Sequence, residues 1–254
     1  MCNHCLNRLT ISGPKEDIKR FTKMARTKAY TPLDFNNFVP YPQKFKDMDE
    51  ISHRYSVARD NARRKWEEDH DTKPKLVAYL HEHGVKGNLH NRKFLLLKRS
   101  RDLWWKLYVV EHGERPKDGF NNGGYEWRCK YWGTKWNAYD VDGSFDGIIA
   151  TYIFNTAWSF PCPIIIAMSK AFRTLRFELH YEEPGMAFEG DLHCEGGIVV
   201  CDNLYDYIPQ CENCGEKSRD VEYYEDEDGS HRGNYCPACL AEMKELEKAE
   251  IENE

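Results

Sequence analysis

Two Cys-x-x-Cys pairs, Cys211-Glu-Asn-Cys214 and Cys236-Pro-Ala-Cys239, stand 21 residues apart near the end of this 254-residue chain. Nothing else in the sequence restricts its folding as tightly. Each pair sets two thiols on one tight knuckle, and four thiolates at this spacing suit a tetrahedral Zn²⁺. The intervening length suits a β-hairpin that returns the second knuckle to face the first. Gly215 follows the first pair, where a positive φ is expected. Residues 221–224 and the approach to Tyr235 read as the hairpin strands, with a polar tip at 225–230. Residues 240–254, rich in Ala, Leu, Glu and Lys, read as a short amphipathic helix. These features predict a zinc-ribbon or treble-clef-like module holding one structural zinc ion on Cys211, Cys214, Cys236 and Cys239. A closed four-thiolate site has no open position for substrate, so the metal predicts structure rather than activity. The alternative is two redox-active thiol pairs.

The chain is long enough for one sizeable core plus this small module, divided as 1–207 and 208–254. No stretch is long and apolar enough to span a bilayer. The opening Met1-Cys-Asn-His-Cys-Leu-Asn-Arg8 lacks the charged start and apolar run of a signal peptide. Ten cysteines that include two metal-type pairs point to a reducing compartment, hence to the cytoplasm. The net charge of −6 is unevenly spread. Residues 210–254 carry 14 acidic and 5 basic side chains, whereas residues 52–106 carry 14 Lys/Arg against 7 Asp/Glu, with five histidines. A basic middle and an acidic tail suit either an electrostatic partner or two solvated helical faces.

Hydrophobic periodicity orders the remaining elements. Residues 6–12 alternate as a half-buried strand does, and Gly13-Pro14 ends them. Residues 16–25 place Ile18, Phe21 and Met24 on one helical stripe. Residues 35–39 read as a second strand, closed by Pro40-Tyr41-Pro42. A mostly helical stretch follows from 51 to about 110, broken near 71–74 and around Gly84 and Gly87, and forms an insertion at about 48–112. Gly123 to Trp136 reads as aromatic strands around a Gly-Thr turn, and 140–146 as a turn. Residues 148–155, 176–182 and the segments after Pro184-Gly185 read as strands, with a helix opening at Pro163. The result is an α+β layout, an antiparallel sheet with helices on one face.

Three segments carry a family resemblance: Cys5-Leu-Asn-Arg-Leu-Thr-Ile-Ser-Gly-Pro14, Trp132-Gly-Thr-Lys-Trp-Asn-Ala138 and Thr156-Ala-Trp-Ser-Phe-Pro161. Over residues 1–200 the chain resembles the YubB ferredoxin-like family, encoded mainly by phages, prophages and conjugative plasmids. The resemblance implies an elaborated βαββαβ ferredoxin-like core in a bacterial host cell, and carries over no reaction or catalytic residues. The chain departs from the family in its Cys2-Asn-His4 start, its basic helical insertion and its appended cysteine module.

Other constellations are open to both functional and structural readings. Cys2 and Cys5, with His4 between them, offer half of a second zinc site, completed by His193, Cys194 or Cys201 if the last strands lie beside the first. They read equally as a reactive thiol pair, or Cys5 as a small core residue. Asp140-x-Asp142-Gly-x-x-Asp146 lacks the final glutamate of a calcium loop and reads as a turn. Glu178, Glu182, Glu183 and Glu189 offer carboxylates for acid–base work or simply solvated sheet edges. No phosphate loop, nucleophile elbow or His-Glu-x-x-His element occurs in the sequence. Rings and cations interleave at Trp127, Tyr131, Trp132, Lys135, Trp136 and Trp158, a candidate binding surface or a packed core. Trp104-Trp105 in the insertion admits the same two readings.

Two function classes follow. One is a non-catalytic protein-binding accessory factor of a phage or mobile element, acting on a host protein or defence complex. The other is a nucleic-acid-binding protein using the basic insertion and the aromatic sheet residues, against which the acidic module counts.

Overall fold

The structure is a computed structural model and describes residues 3–27, 31–86, 92–225 and 232–251. Its strands are β1 (His4–Ser12), β2 (Tyr139–Phe145), β3 (Ile149–Ala157), β4 (Arg176–Glu183), β5 (Phe188–Glu195) and β6 (Ile198–Asp206), with a separate hairpin of β7 (Glu222–Glu225) and β8 (Arg232–Tyr235). The helices are α1 (Lys15–Ala25), α2 (Gln43–Asp69), α3 (Lys73–Glu82), α4 (Lys93–His112), α5 (Gly124–Tyr131), α6 (Cys162–Ala171) and α7 (Pro237–Ile251). The large sheet runs β2-β3-β1-β4-β5-β6, antiparallel throughout. Its first four strands, with α1 after β1 and α6 after β3, make a β-α-β-β-α-β unit with β1 and β3 in the middle. That is the ferredoxin-like arrangement, and β5 and β6 extend it past β4.

Period-two alternation decides which side chains meet across this sheet. Leu9 aligns with Tyr152, Leu179 and Leu192; Ile11 with Ala150, Phe177 and Cys194; Asn7 with Phe154, Tyr181 and Gly190. Every member of these three rungs is buried. From α1, Phe21 meets Tyr152, Phe172 and Phe177 edge-on at centroid distances of 6.0, 5.3 and 5.5 Å. The helix buries Ile18, Phe21 and Ala25, whereas Met24 turns to solvent. The stripe thus steps by three and then four residues, as a 3.6-residue period requires.

One rung member is polar. The Asn7 amide donates to the Cys5 carbonyl at 2.8 Å, the Phe154 carbonyl at 3.3 Å and Thr156 Oγ1 at 2.9 Å. Thr156 Oγ1 donates in turn to the Ser159 carbonyl at 2.8 Å, and Ser159 Oγ to the Gly133 carbonyl at 2.7 Å. Thr134 Oγ1 donates to the Ala157 carbonyl and accepts from the Ala157 N–H, both at 3.1 Å. These bonds stitch Trp132-Gly-Thr134 to Thr156-Ala-Trp-Ser159. Gly133 has φ +83°, and a Cβ there would sit 2.5 Å from Pro163 Cδ, so this joint admits no side chain.

Three sequence expectations change. Residues 35–39 begin as a 3-10 turn, Phe35–Asn37, instead of a strand. The Asp34 carboxylate accepts from Asn36 N, Asn137 Oδ1 accepts from Phe35 N at 3.0 Å, and Asn137 Nδ2 holds Asp34 at 2.7 Å. Side chains thereby take the backbone donors that a strand would have offered. The 123–131 segment is helix α5, because Trp127 and Tyr131 pair at i,i+4 with rings 4.9 Å apart. Residues 140–145 belong to edge strand β2, which takes in Asp140 and Asp142 through a register shift between Tyr139 and Asp142, and Asp146 lies in the turn that follows.

The chain divides into two compact units, residues 1–40 with 127–254 and residues 41–126. The second holds the insertion expected at 48–112, and α2, α3 and α4 share a core of Trp66, Leu76, Tyr79, Leu80 and Leu96. The cysteine segment 208–254 falls in the first unit. Gly87, the hairpin tip beyond Glu225 and Cys2 lie outside the described residues. Among the described residues no helix is long and apolar enough to cross a membrane.

Trp132 is 2 % exposed and its indole N–H donates to the Val39 carbonyl at 2.9 Å. Trp132→Ala is expected to lower unfolding free energy by about 3–5 kcal/mol, read from the shift of the urea midpoint.

Candidate metal centre and aromatic surface

The first knuckle is built by local hydrogen bonding. Gly215 N donates to the Cys211 carbonyl at 2.9 Å, Cys211 N to the Glu216 carbonyl at 2.9 Å, and Gln210 Nε2 to the Gly215 carbonyl at 2.8 Å. Gly215 takes φ +76°, as its position after the pair requires. The second pair enters a helix: Cys236 precedes α7, Pro237 occupies the helix start, and Leu240 N donates to the Cys236 carbonyl at 2.9 Å. Between them, Glu212 N donates to the Asn234 carbonyl at 2.8 Å and Asn234 N to Glu212 Oε1 at 2.9 Å. This clamp seats the first knuckle on β8 beside Cys236.

All four sulfurs consequently converge within 4.8 Å of one another, and those of Cys214 and Cys236 are 3.8 Å apart. With metal–sulfur bonds of 2.3 Å, a tetrahedral zinc thiolate centre requires sulfur–sulfur edges of about 3.8 Å. The four cysteines can hold a metal ion. Cys211, Cys236 and Cys239 are buried and Cys214 is exposed. Backbone hydrogen bonds from Cys214 and Cys236 lower the Cys211 pKa to about 6, while those of Cys214 and Cys239 are raised, so without a cation one thiolate is favoured over the others. Among the described residues, Val221 and Tyr235 pack against the sulfurs, and Leu240 is buried in the same module. Lys217 pairs with Glu189 of β5 at 2.9 Å and Arg219 with Asp206 of β6 at 3.2 Å, joining the module to the end of the sheet.

The second metal half-site does not assemble from the described residues. Cys5 and Cys194 share the buried face, but Cys194 aligns with Phe177 and hence with Ile11, six positions along β1 from Cys5. At strand rise this is about 20 Å. His193 lies opposite Cys201 on the other face. Burial pushes the Cys5 thiol up to about 12, against an opposing hydrogen bond with Thr156, and pushes Cys194 to about 12 as well.

The carboxylates sort by face. Glu178 pairs with Arg176 at 2.9 Å, and Glu182 lies opposite Glu189, the partner of Lys217. Glu183 is buried on the helix side and accepts from Met186 N. Asp146 accepts from Ile148 N and Ile149 N at 2.8 Å each, closing the β2–β3 turn; these bonds hold its pKa below the usual value.

The aromatic segment divides between core and surface. Trp132 belongs to the core, which corrects its reading as a surface residue; its ring lies edge-on to Phe35 and Trp127. Tyr131 is 41 % exposed, Trp136 39 % and Trp158 40 %. Lys135 Nζ sits 4.5 Å from the Trp136 ring centroid and 5.4 Å from that of Trp158, a cation between two open rings. Trp158 holds φ +72°, a conformation that a bulky residue adopts only under constraint. Its N–H donates to the Asn3 carbonyl at 3.1 Å, and its neighbours Thr156 and Ser159 belong to the buried lock. Tyr139 joins the patch edge-on to Trp136 and bonds His4 Nδ1 at 2.8 Å. Neither residue was legible as part of this surface, because strand register brings them together from positions 135 residues apart.

Residues 132–222 match the family model described as a ferredoxin-like domain in Api92-like protein. The matched segment begins at Trp132, takes in β2 to β6 and the first cysteine pair, and stops before Cys236. Among solved structures, protein api92 from Yersinia pseudotuberculosis is similar at 13 % identity, with 82 % of this chain and 100 % of that chain covered and a TM-score of 0.42. No curated protein matches.

Alkylation of the folded protein by iodoacetamide at pH 8 is expected to spare Cys5 and Cys194, and to reach them only after denaturation. Peptide mass spectrometry reads the difference; modification of Cys5 at the rate of an exposed thiol contradicts its burial.

Proposed function

We propose that this chain is a non-catalytic binding protein, stabilised by one structural zinc ion, that uses the Lys135–Trp136–Trp158 patch to contact a protein partner. The observation that carries the reading is that patch. Tryptophan is among the residues that dominate protein-binding hot spots, and these rings stand open on a rigid, hydrogen-bonded joint. On α5, Arg128 donates to the Lys135 carbonyl at 3.4 Å, and the Trp127 and Tyr131 rings lie 4.9 Å apart. A constrained backbone at Trp158 supports a role beyond packing.

Zinc is favoured for the metal by four soft sulfur donors at tetrahedral spacing. Knuckle, hairpin and helix follow one another with the second pair at the helix start, which favours the treble-clef description over a two-knuckle ribbon. In a module with so few apolar side chains, metal binding substitutes for a hydrophobic core. The resemblance to the YubB ferredoxin-like family adds the setting: a phage or plasmid product in the bacterial cytoplasm, bound to a host protein or defence complex.

Protein purified under reducing conditions is expected to contain one zinc per chain by elemental analysis. Cys236→Ser should lose the metal and make residues 208–254 protease-sensitive while the sheet persists; metal-free protein with an intact module refutes the zinc assignment. For the partner, affinity capture from bacterial lysate is run with nuclease, comparing wild type with Trp136→Ala/Trp158→Ala. A host protein retained at near-stoichiometric amount by the wild type and lost by the variant is the expected result. Equal recovery by both removes the patch from the interface.

A further inference from the structure

The helical unit has a cleft of its own, unrelated to the patch on the sheet. About 320 Å³ in volume, it lies between one face of α2 and one face of α4. Arg59 and Arg63 line it from α2 at i,i+4 spacing; Arg101, Trp104 and Trp105 line it from α4 at i,i+3 and i,i+4. Cations and indoles are therefore concentrated in one concavity.

The side chains are held to different degrees. Arg59 donates to Asp60 at 2.7 and 2.9 Å and lies 5.4 Å from the Trp105 ring centroid. Arg101 approaches Glu67 at 3.7 Å. Trp104 packs against Trp66 and Tyr108, at 6.2 and 5.1 Å between centroids, and is fixed by the core behind it. Trp105 remains 38 % exposed. Arg63 differs: its Nε is shut off from solvent and has no hydrogen-bond partner among the described residues. That Nε cannot itself meet a ligand, so an anion in the cleft would be met by the terminal nitrogens of the guanidinium.

We infer that this cleft binds a nucleotide unit, with an aromatic base against the exposed Trp105 indole and the phosphate on Arg63 and its neighbouring guanidiniums. Aromatic faces accept any base by stacking, and guanidinium forks match phosphate oxygens. Inorganic anions alone would use the arginines and leave the indole idle. An apolar ligand would use the indole and leave the Arg63 guanidinium uncompensated, whereas Arg59 and Arg101 already have Asp60 and Glu67. Asp60 and Asp102, also at the cleft, are acceptors suited to base amino groups rather than to a second phosphate. The surrounding segment 52–106, with 14 basic against 7 acidic residues, offers further cations along which a strand can continue.

The same chemistry is presented by a free nucleotide and by one residue of a single strand, so the test uses both. Full-length protein is titrated calorimetrically with AMP, with a twelve-nucleotide oligodeoxyadenylate, and with tripolyphosphate as an anion without a base. Saturable binding of AMP or the oligonucleotide, tighter than tripolyphosphate, is expected. Trp105→Leu and Arg63→Gln should each weaken that binding about tenfold, with helicity checked by circular dichroism; Arg101→Gln replaces any variant that loses helicity. Binding of the strand but not AMP assigns the site to single-stranded nucleic acid, and the reverse assigns it to a free nucleotide. No binding of either, tripolyphosphate binding as tightly, or affinity unchanged in folded Trp105→Leu each overturns the inference.

Discussion

The buried Asn7 amide is the interaction on which the ferredoxin-like unit turns. Placed mid-strand on the apolar face of β1, it satisfies its N–H groups only if β3 presents the Phe154 carbonyl and Thr156 hydroxyl beside it. A buried polar group without partners costs about 1–3 kcal/mol, so a slipped register of β3 against β1 is penalised at once. Thr156 and Ser159 transmit this choice to Gly133 and, through Ala157, to Thr134. Trp132 then seals the joint by donating to the Val39 carbonyl. The open rings of Trp136 and Trp158 take their positions from that buried joint, so the surface inherits its rigidity from the core.

The cysteine module is organised by a different economy. Its hairpin has four residues per strand and packs around sulfur rather than hydrocarbon. The Glu212–Asn234 clamp and the Gly215 turn bring the first knuckle to the helix that carries the second pair, so backbone hydrogen bonds do the positioning. The Lys217–Glu189 and Arg219–Asp206 pairs join the module to β5 and β6, and ion pairs at the surface contribute little energy each in water.

Much of the sheet was legible because burial on one face alone leaves a period of two. β1, β3, β4 and β5 carry that signature and α1 and α6 carry the helical one, whereas the outer strand β6 is exposed along its length and shows no such alternation. The errors occur where side chains compete with backbone pairing or where composition misleads. Phe35 looked β-prone, yet Asp34 and Asn137 claim its neighbourhood's donors. The rings of 124–131 suggested strands, yet their spacing favours a helix. The aspartates of β2 suggested a turn, although an edge strand tolerates charge and benefits from it.

The four cysteines that converge could be named from the sequence alone, because two short Cys-x-x-Cys motifs can each chelate before any tertiary structure exists. The same holds for the alternating strands and for the uneven charge, which are local properties of the chain. Tertiary structure alone decided which tryptophans are open, since Trp132 and Trp136 are four residues apart and differ only in what the fold places over them. It also decided that Cys5 and Cys194 stay apart, and that Arg63 and Trp105, 42 positions distant, share one cleft. Those outcomes depend on strand register and helix packing, which arise from contacts between residues far apart in the chain and leave no mark on local periodicity.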